Sequence, residues 1–478
     1  MGCRADPSAC VYRPKVRRTR ARRSTSNHPT RGVNSVSLFS EVIEPLHSPS
    51  PGETEITNSA LCREVTAAHN FPHFAGHLEI SYGPASSFAF LQHVHRAISS
   101  HDETENAGRP LDEGGLDRFA MRGVFFGLPP RISLQAISVQ DTIHKIIRRP
   151  SALKFLDTFK TFSLHIFPFF TSESLDELLD RAYSPTSSIP RQSHDEVVLL
   201  AILASGSLNA AETNEAERLF QHATRHAESS GDAVTLPTIQ FSLLMADYQL
   251  NMGRPNAAYL LISAACCKAY ALGLHRFSTQ VALSEQEIQV RRATLWTIFS
   301  YDSWIAFSLG RSNNMRKGDI TCPYPDKQTL LVDRCRIAAA MEEASASIYN
   351  KRFDSVLQLY NTVESLHAVV VQNCKLLSRE IMHFVIQGSP AETLGHVALL
   401  NIYYNLVITI YRPFMITEYL VQSAGRIDRG EMLWLRPACR KATAAAEDCI
   451  VLTHQIRRVV DVHRGRWQGR PSKRIMAE

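Results

Sequence analysis

At 478 residues, with 44% hydrophobic, 21% charged and 8% aromatic side chains, the chain has globular composition and length for a large core. No stretch reaches the roughly 18 uninterrupted apolar residues of a membrane helix, and the polar, arginine-rich N-terminus predicts no signal peptide. The ten cysteines are scattered without a dense framework, which argues against a secreted disulfide scaffold or a membrane partner and predicts a reduced, intracellular compartment.

The net charge of +6 is unevenly placed. Residues 1–31 hold nine Arg/Lys against Asp6, and residues 457–478 hold seven against Asp461 and Glu478, so the long middle is mildly acidic. A polyanion-binding surface therefore belongs to the ends. Residues 13–75 read as a basic, Ser/Pro-rich disordered linker, too poor in apolar area to offset the entropy of ordering.

Residues 76–135 read as a helical lead-in followed by a loop, with Phe88, Leu91, Val94 and Ile98 at helical spacing. From about Ser138 helical periodicity dominates and no strand pattern is readable. Helices are predicted over Val197–Leu208, Ala216–Glu228, Leu236–Met252 and Asn256–Leu272, the last ending at Gly273. Ser284 with Glu287 forms a capping-box start for a helix running to Gly310 and apolar on all its faces. Further helices are expected over Val332–Tyr349, Phe353–Glu380, Ala391–Tyr411 and Arg436–Arg458. Consecutive helices joined by short turns predict an all-α fold, a large helical array behind the basic linker.

Enzymatic signatures are missing. There is no glycine-rich phosphate loop, no G-x-S-x-G turn and no dinucleotide fingerprint. His222 and His226 share a helical face, but Ala223 stands where a zinc protease needs Glu, and a solvated face is the expected reading. Cys266 and Cys267 read as small apolar packing. Asp302 is the odd polar residue in an apolar run, and a buried ion pair with Arg292 or Arg311 is expected to offset its burial.

The stretch from Arg291-Arg292 through Trp296, Tyr301-Asp302 and Ser308-Leu309-Gly310-Arg311 resembles the central motif of the fungal-specific transcription factor domain, also called the xylanolytic-activator regulatory domain. In that family two arginines precede an aromatic residue, the helix carries an aspartate, and Gly-Arg-Pro closes it; here Ser312 replaces the proline. Asp319-Ile320 with Pro323-Tyr324-Pro325, Gly273-Leu274-His275-Arg276 upstream, and Tyr403-Tyr404-Asn405 with Tyr411-Arg412-Pro413-Phe414 downstream are similar to further family segments in the same order. Phe159–Phe170 is similar to the opening one. The resemblance implies a regulatory domain over about 140–458, followed by a basic tail over 459–478.

Family members usually carry an N-terminal six-cysteine binuclear zinc cluster. Cys3 and Cys10 have the C-x6-C spacing of its last two ligands, followed by Val11-Tyr12 and a basic run, so residues 1–12 look like the remnant of such a cluster. Two tetrahedral zinc ions need all six thiolates, so zinc binding by this chain is expected to be incomplete.

The resemblance implies a nuclear, non-enzymatic regulator of RNA polymerase II transcription. Its partners would be DNA, the transcription machinery and related regulators as homo- or heterodimers. In complete relatives the cluster reads sequence; here Arg13, Lys15, Arg17, Arg18, Arg20, Arg22 and Arg23 would contact DNA backbone phosphates only. Arg291, Arg292, Trp296, Asp302, Gly310, Arg311, Arg412 and Pro413 would be structural motif residues. The alternative is a helical interaction or ligand-sensing protein that lacks DNA binding and acts through other proteins.

Overall fold

The computed structural model describes residues 67–73, 76–91, 93–94, 143–184, 194–228, 232–277, 283–374, 390–424 and 434–464. β1 (Ala67–His73) and β2 (Gly76–Tyr82) form an antiparallel hairpin in the register Ala67 to Tyr82, where the sequence pattern offered a linker passing into a helical lead-in. Leu78, Ile80 and Tyr82 alternate with polar residues, which is a strand signature. β1 contains Pro72 and no β-branched residue, so it carries no such signal alone. After the hairpin the chain turns at Pro84, and the Ser86 hydroxyl caps a short helix over residues 87–91 by accepting from Ala89 N at 3.1 Å.

The rest of the described chain is helical: α1 (Arg149–Phe162), α2 (Ser172–Tyr183), α3 (His194–Asn209), α4 (Thr213–Glu228), α5 (Leu236–Asn251), α6 (Pro255–Ala271), α7 (Glu285–Leu309), α8 (Thr329–Ala344), α9 (Val356–Asn373), α10 (Pro390–Ala424) and α11 (Leu435–Arg464). Local chemistry sets several ends. Thr171 with Ser174, Thr235 with Thr238 and Ser284 with Glu287 make reciprocal capping boxes that satisfy first-turn N–H groups. α7 stops where Gly310 adopts φ 64°, the left-handed conformation that a side chain disfavours.

Two apolar cores share one pair of helices. The first gathers Phe155 and Phe159 of α1, Leu200 and Leu203 of α3, Leu244 of α5, Ile262 of α6 and Phe299 of α7. The second gathers Leu359 of α9, Leu406, Ile410 and Phe414 of α10, and Ala442 of α11. α8 lies between them, with Leu331, Cys335 and Ala338 in the first core and Ile337, Met341 and Ala344 in the second. Near its end α7 also sends Phe307 into the second core. Each such aliphatic or aromatic side chain contributes roughly 1.5–3 kcal/mol when fully buried, so α7 and α8 form the spine.

The structure departs from the sequence expectations at further places: α9 ends at Asn373 and not at Glu380, and Cys267 is exposed beside the buried Cys266. His222 and His226 are 6% and 1% exposed on the inner face of α4, not on a solvated face; Ala216, Leu219 and Ala223 set a buried stripe that both imidazoles share. α10 does not end at Tyr411 but continues through Pro413 to Ala424. By length and composition its span Thr393–Gln422 could cross a membrane, yet Leu399, Leu406, Ile410 and Phe414 are covered by the chain's own helices, as in a core helix.

Candidate functional site

The motif helix α7 presents its residues to three different neighbours. Trp296 is buried and donates from Nε1 to Pro323 O at 2.8 Å, while Lys317 Nζ lies 4.9 Å from its ring. This pins the loop after α7 against the helix that precedes it.

Asp302 is 0% exposed. It has neither expected arginine partner: its Oδ2 accepts from Asn314 N and Met315 N, both at 2.8 Å, and its Oδ1 accepts from Asn314 Nδ2 at 2.7 Å. Arg292 sits ten residues upstream on the same helix, about 15 Å along the axis. Burial pushes the Asp302 carboxyl above its ordinary range, and the donors of Asn314 and Met315 pull it back. The aspartate is thus a loop anchor that fixes the turn after Gly310. Arg291 and Arg292 are half-buried near the start of the same helix.

Arg311 turns away from Asp302. It donates to Ser81 O from Nη2 at 3.1 Å and Nε at 3.2 Å, and to Asn256 Oδ1 at 2.5 Å. Its guanidinium stacks 4.9 Å from the Tyr259 ring centroid. Gly310 abuts Gly83 so tightly that a Cβ on either glycine would overlap the other's backbone.

Arg412, far along the chain on α10, reaches the same stretch. It is 4% exposed and donates to Pro84 O at 3.0 Å, Ser86 O at 3.2 Å and Tyr349 Oη at 3.1 Å. Pro413 has no N–H, so the carbonyl of Thr409 lacks its helical donor. The Tyr349 hydroxyl supplies one at 2.8 Å. Tyr349 ends a single π-helical turn, Ser345–Tyr349, that follows α8. One hydroxyl therefore satisfies the carbonyl that Pro413 frees and accepts from Arg412.

The structure thus brings Gly310, Arg311 and Arg412 against residues 81–90, with Pro413 beside Arg412 on α10, and turns Trp296 and Asp302 of α7 toward the loop that follows it. Sequence reasoning missed Gly83, Ser86, Asn256 and Tyr349, none of which sits in a spacing pattern. A proline inside the apolar periodicity of α10 was the available sign that a side chain elsewhere must serve Thr409.

A second buried carboxylate also escaped notice. Asp247 of α5 accepts from Tyr301 Oη at 2.7 Å and from Asn251 Nδ2 at 3.1 Å, and burial lifts its carboxyl to about 6. Arg334 of α8 lies 5.6 Å from the Tyr301 ring and donates to Ile166 O and Ser300 Oγ, each at 3.3 Å. Asp247, Asn251 and the Tyr301 hydroxyl are spent on one another, while Arg334 Nε is buried without a hydrogen-bond partner.

On the surface, Tyr270, His275, Arg276, Asp319 and Thr321 line an open cleft of about 480 Å³. Its walls are tied by Thr321 N and Cys322 N, which donate to His275 O at 3.0 and 3.1 Å. Both walls come from the Gly-Leu-His-Arg and Asp-Ile segments.

Cys3, Cys10 and the basic residues Arg13 to Arg23 lie outside the described residues. Among the described residues no three His, Cys, Asp or Glu are grouped to hold a metal ion. Burial pushes the thiols of Cys335, Cys374 and Cys439 up to about 12, and none of them stands in a group of three candidate ligands. These cysteines do not fit a zinc cluster.

The family model of the fungal specific transcription factor domain matches residues 157–334, from within α1 to within α8. The matched span ends before α9, α10 and α11 of the second core. Among characterised proteins the chain is similar to the fusaridione A cluster transcription factor fsdR of Fusarium heterosporum, at 22% identity over 309 residues, 59% of this chain and 59% of that protein. It is also similar to the thiamine repressible genes regulatory protein thi1 of Schizosaccharomyces pombe, at 25% over 143 residues, 27% of this chain and 18% of that protein. The nitrogen assimilation transcription factor nirA of Emericella nidulans is 29% identical over 163 residues, 31% of this chain and 18% of that protein. The chain therefore spans at most 59% of the length of these relatives. No solved structure matches significantly.

Proposed function

Because residues 157–334 match the family model of the fungal specific transcription factor domain, we propose that this chain is a non-enzymatic nuclear regulator of RNA polymerase II transcription. The helical array is its regulatory part. That family match is the observation that carries the reading, and relatives named as transcription factors agree with it. Cys3 and Cys10 are the last two of the six thiolate ligands of a zinc cluster, and two thiolates alone do not hold both zinc ions. Arg13, Lys15, Arg17, Arg18, Arg20, Arg22 and Arg23 bind phosphates, so DNA affinity is weak, steeply salt-dependent and indifferent to sequence. Related regulators, as dimer partners, and the transcription machinery are the protein partners. The open cleft between the Gly-Leu-His-Arg and Asp-Ile segments favours a second reading, a ligand-sensing regulator that acts through other proteins.

Two measurements test this. Tethered to a promoter by a heterologous DNA-binding domain, the chain is expected to change reporter transcription in a fungal cell; an unchanged reporter overturns the regulator reading. In a titration of the untethered chain against random and G·C-rich duplexes, equal affinities that fall steeply with salt are expected. A hundredfold preference that persists at physiological salt would reveal a base-reading element and overturn the phosphate-only account.

A further inference from the structure

Residues 81–90 leave the hairpin and run across the boundary between the two cores, with contacts on both sides. From the first core, Leu309 O accepts from Gly83 N at 3.1 Å, Arg311 holds Ser81 O, and Asn256 Nδ2 donates to Tyr82 Oη at 2.9 Å. Tyr82 and Phe88 are buried in that core. From the second, Arg412 holds Pro84 O and Ser86 O, and Ala85 is buried there. The Phe90 ring lies 5.1 Å from the Arg412 guanidinium and packs on Ile416.

We propose that this segment is a strap that locks the two cores in one relative arrangement. Arg311 and Arg412 both grip backbone carbonyls, so these contacts set position without reading the side chains of Ser81, Pro84 or Ser86. Arg412 is almost fully buried, and two of the three groups it donates to belong to the strap. Lifting the strap would strand a buried guanidinium on one tyrosine hydroxyl, which is strongly unfavourable. The strap therefore stays seated while the cores keep this arrangement, and a shift of α10 against α7 separates its two grips.

The same hydroxyl links strap and helix. Tyr349 Oη accepts from Arg412 and donates to Thr409 O, the carbonyl that Pro413 leaves without a helical donor. α10 is thus weakest in its own hydrogen bonding at the turn where it grips the strap. The coupling is reciprocal: an event that moves the seam loosens the strap, and one that pulls the strap strains the seam.

Hydrogen exchange of the full chain tests the strap. In Arg412→Met, residues 83–91, 306–311 and 345–350 are expected to exchange at least tenfold faster, while residues 243–248 of α5 keep the parent rate. Tyr349→Phe removes one hydroxyl and should give the same pattern at smaller amplitude; it carries the test by itself if Arg412→Met does not fold. Parent-like exchange in the strap overturns the proposal. So does equal acceleration of α5, which would make Arg412 a general stabiliser. Neither result depends on the reporter assay, so the two readings fail separately.

Discussion

Replacing Asp302 separates a loop anchor from an ion pair. In Asp302→Ala, Met315 N, Asn314 N and Asn314 Nδ2 lose the acceptors they hold at 2.7–2.8 Å. Met315 is 0% exposed, so its N–H has no water to turn to, and one orphaned buried donor costs about 1–3 kcal/mol. Asn314 is half-buried and recovers part of its loss from solvent. Relief of the buried carboxylate's own desolvation offsets some of the total, leaving a net destabilisation of about 2–4 kcal/mol. Asp302→Asn keeps one acceptor but turns an NH₂ toward a donor, and should cost about half as much. Denaturant unfolding of the parent, Asp302→Ala, Arg311→Met and the double variant supplies the numbers. Arg311 is engaged with Ser81 and Asn256, so the two losses should add within about 0.5 kcal/mol. A loss below about 1 kcal/mol for Asp302→Ala, or a coupling energy with Arg311 above about 1 kcal/mol, would refute the loop-anchor account.

Gly83→Ala should destabilise by about 1–3 kcal/mol or more, because its Cβ would meet the Gly310 carbonyl, whereas Gly318→Ala, with open space around it, should stay within about 0.5 kcal/mol; equal melting temperatures for the two variants would contradict the close approach. Burial raises Asp247 from 3.8 to about 6, so the folded state holds this proton more tightly than the unfolded one. Its contribution is complete below about pH 4 and is lost as pH rises through about 6. Asp247→Asn should therefore gain on the parent by up to about 3 kcal/mol between pH 4 and pH 7, and a pH-independent difference in unfolding free energy would show that Asp247 does not titrate in this window. Metal analysis of the purified chain should find well under two tightly bound zinc ions per molecule; two would mean a complete ligand set exists.

Local order was readable where it depends on neighbours in the chain. Ser284, Glu287 and Gly310 bound α7 as their capping chemistry requires. The apolar periodicities of α3 to α6 give helices within a few residues of those expected, because a helix end is decided by its own four or five residues. The motif segments from Phe159 to Tyr324 resemble the family whose model matches residues 157–334; those from Tyr403 to Phe414 lie beyond that match.

Partnership across the fold was decided only by tertiary packing. Asp302 had two arginines within reach of its sequence neighbourhood, yet the turn after Gly310 delivers Asn314 and Met315 to it and sends Arg311 to Ser81. A buried carboxylate takes whichever donors the backbone places against it, and here the chain reverses at Gly310, whose φ of 64° ends α7. α10 passes through Pro413 because Tyr349, 64 residues earlier, fills the vacant acceptor and the second core covers the helix. The hairpin follows the same logic: β1 has little strand preference of its own and takes its pairing from β2. Hydrogen-bond demand is written residue by residue, but supply comes from segments between 12 and 328 residues away, and only the folded chain matches the two.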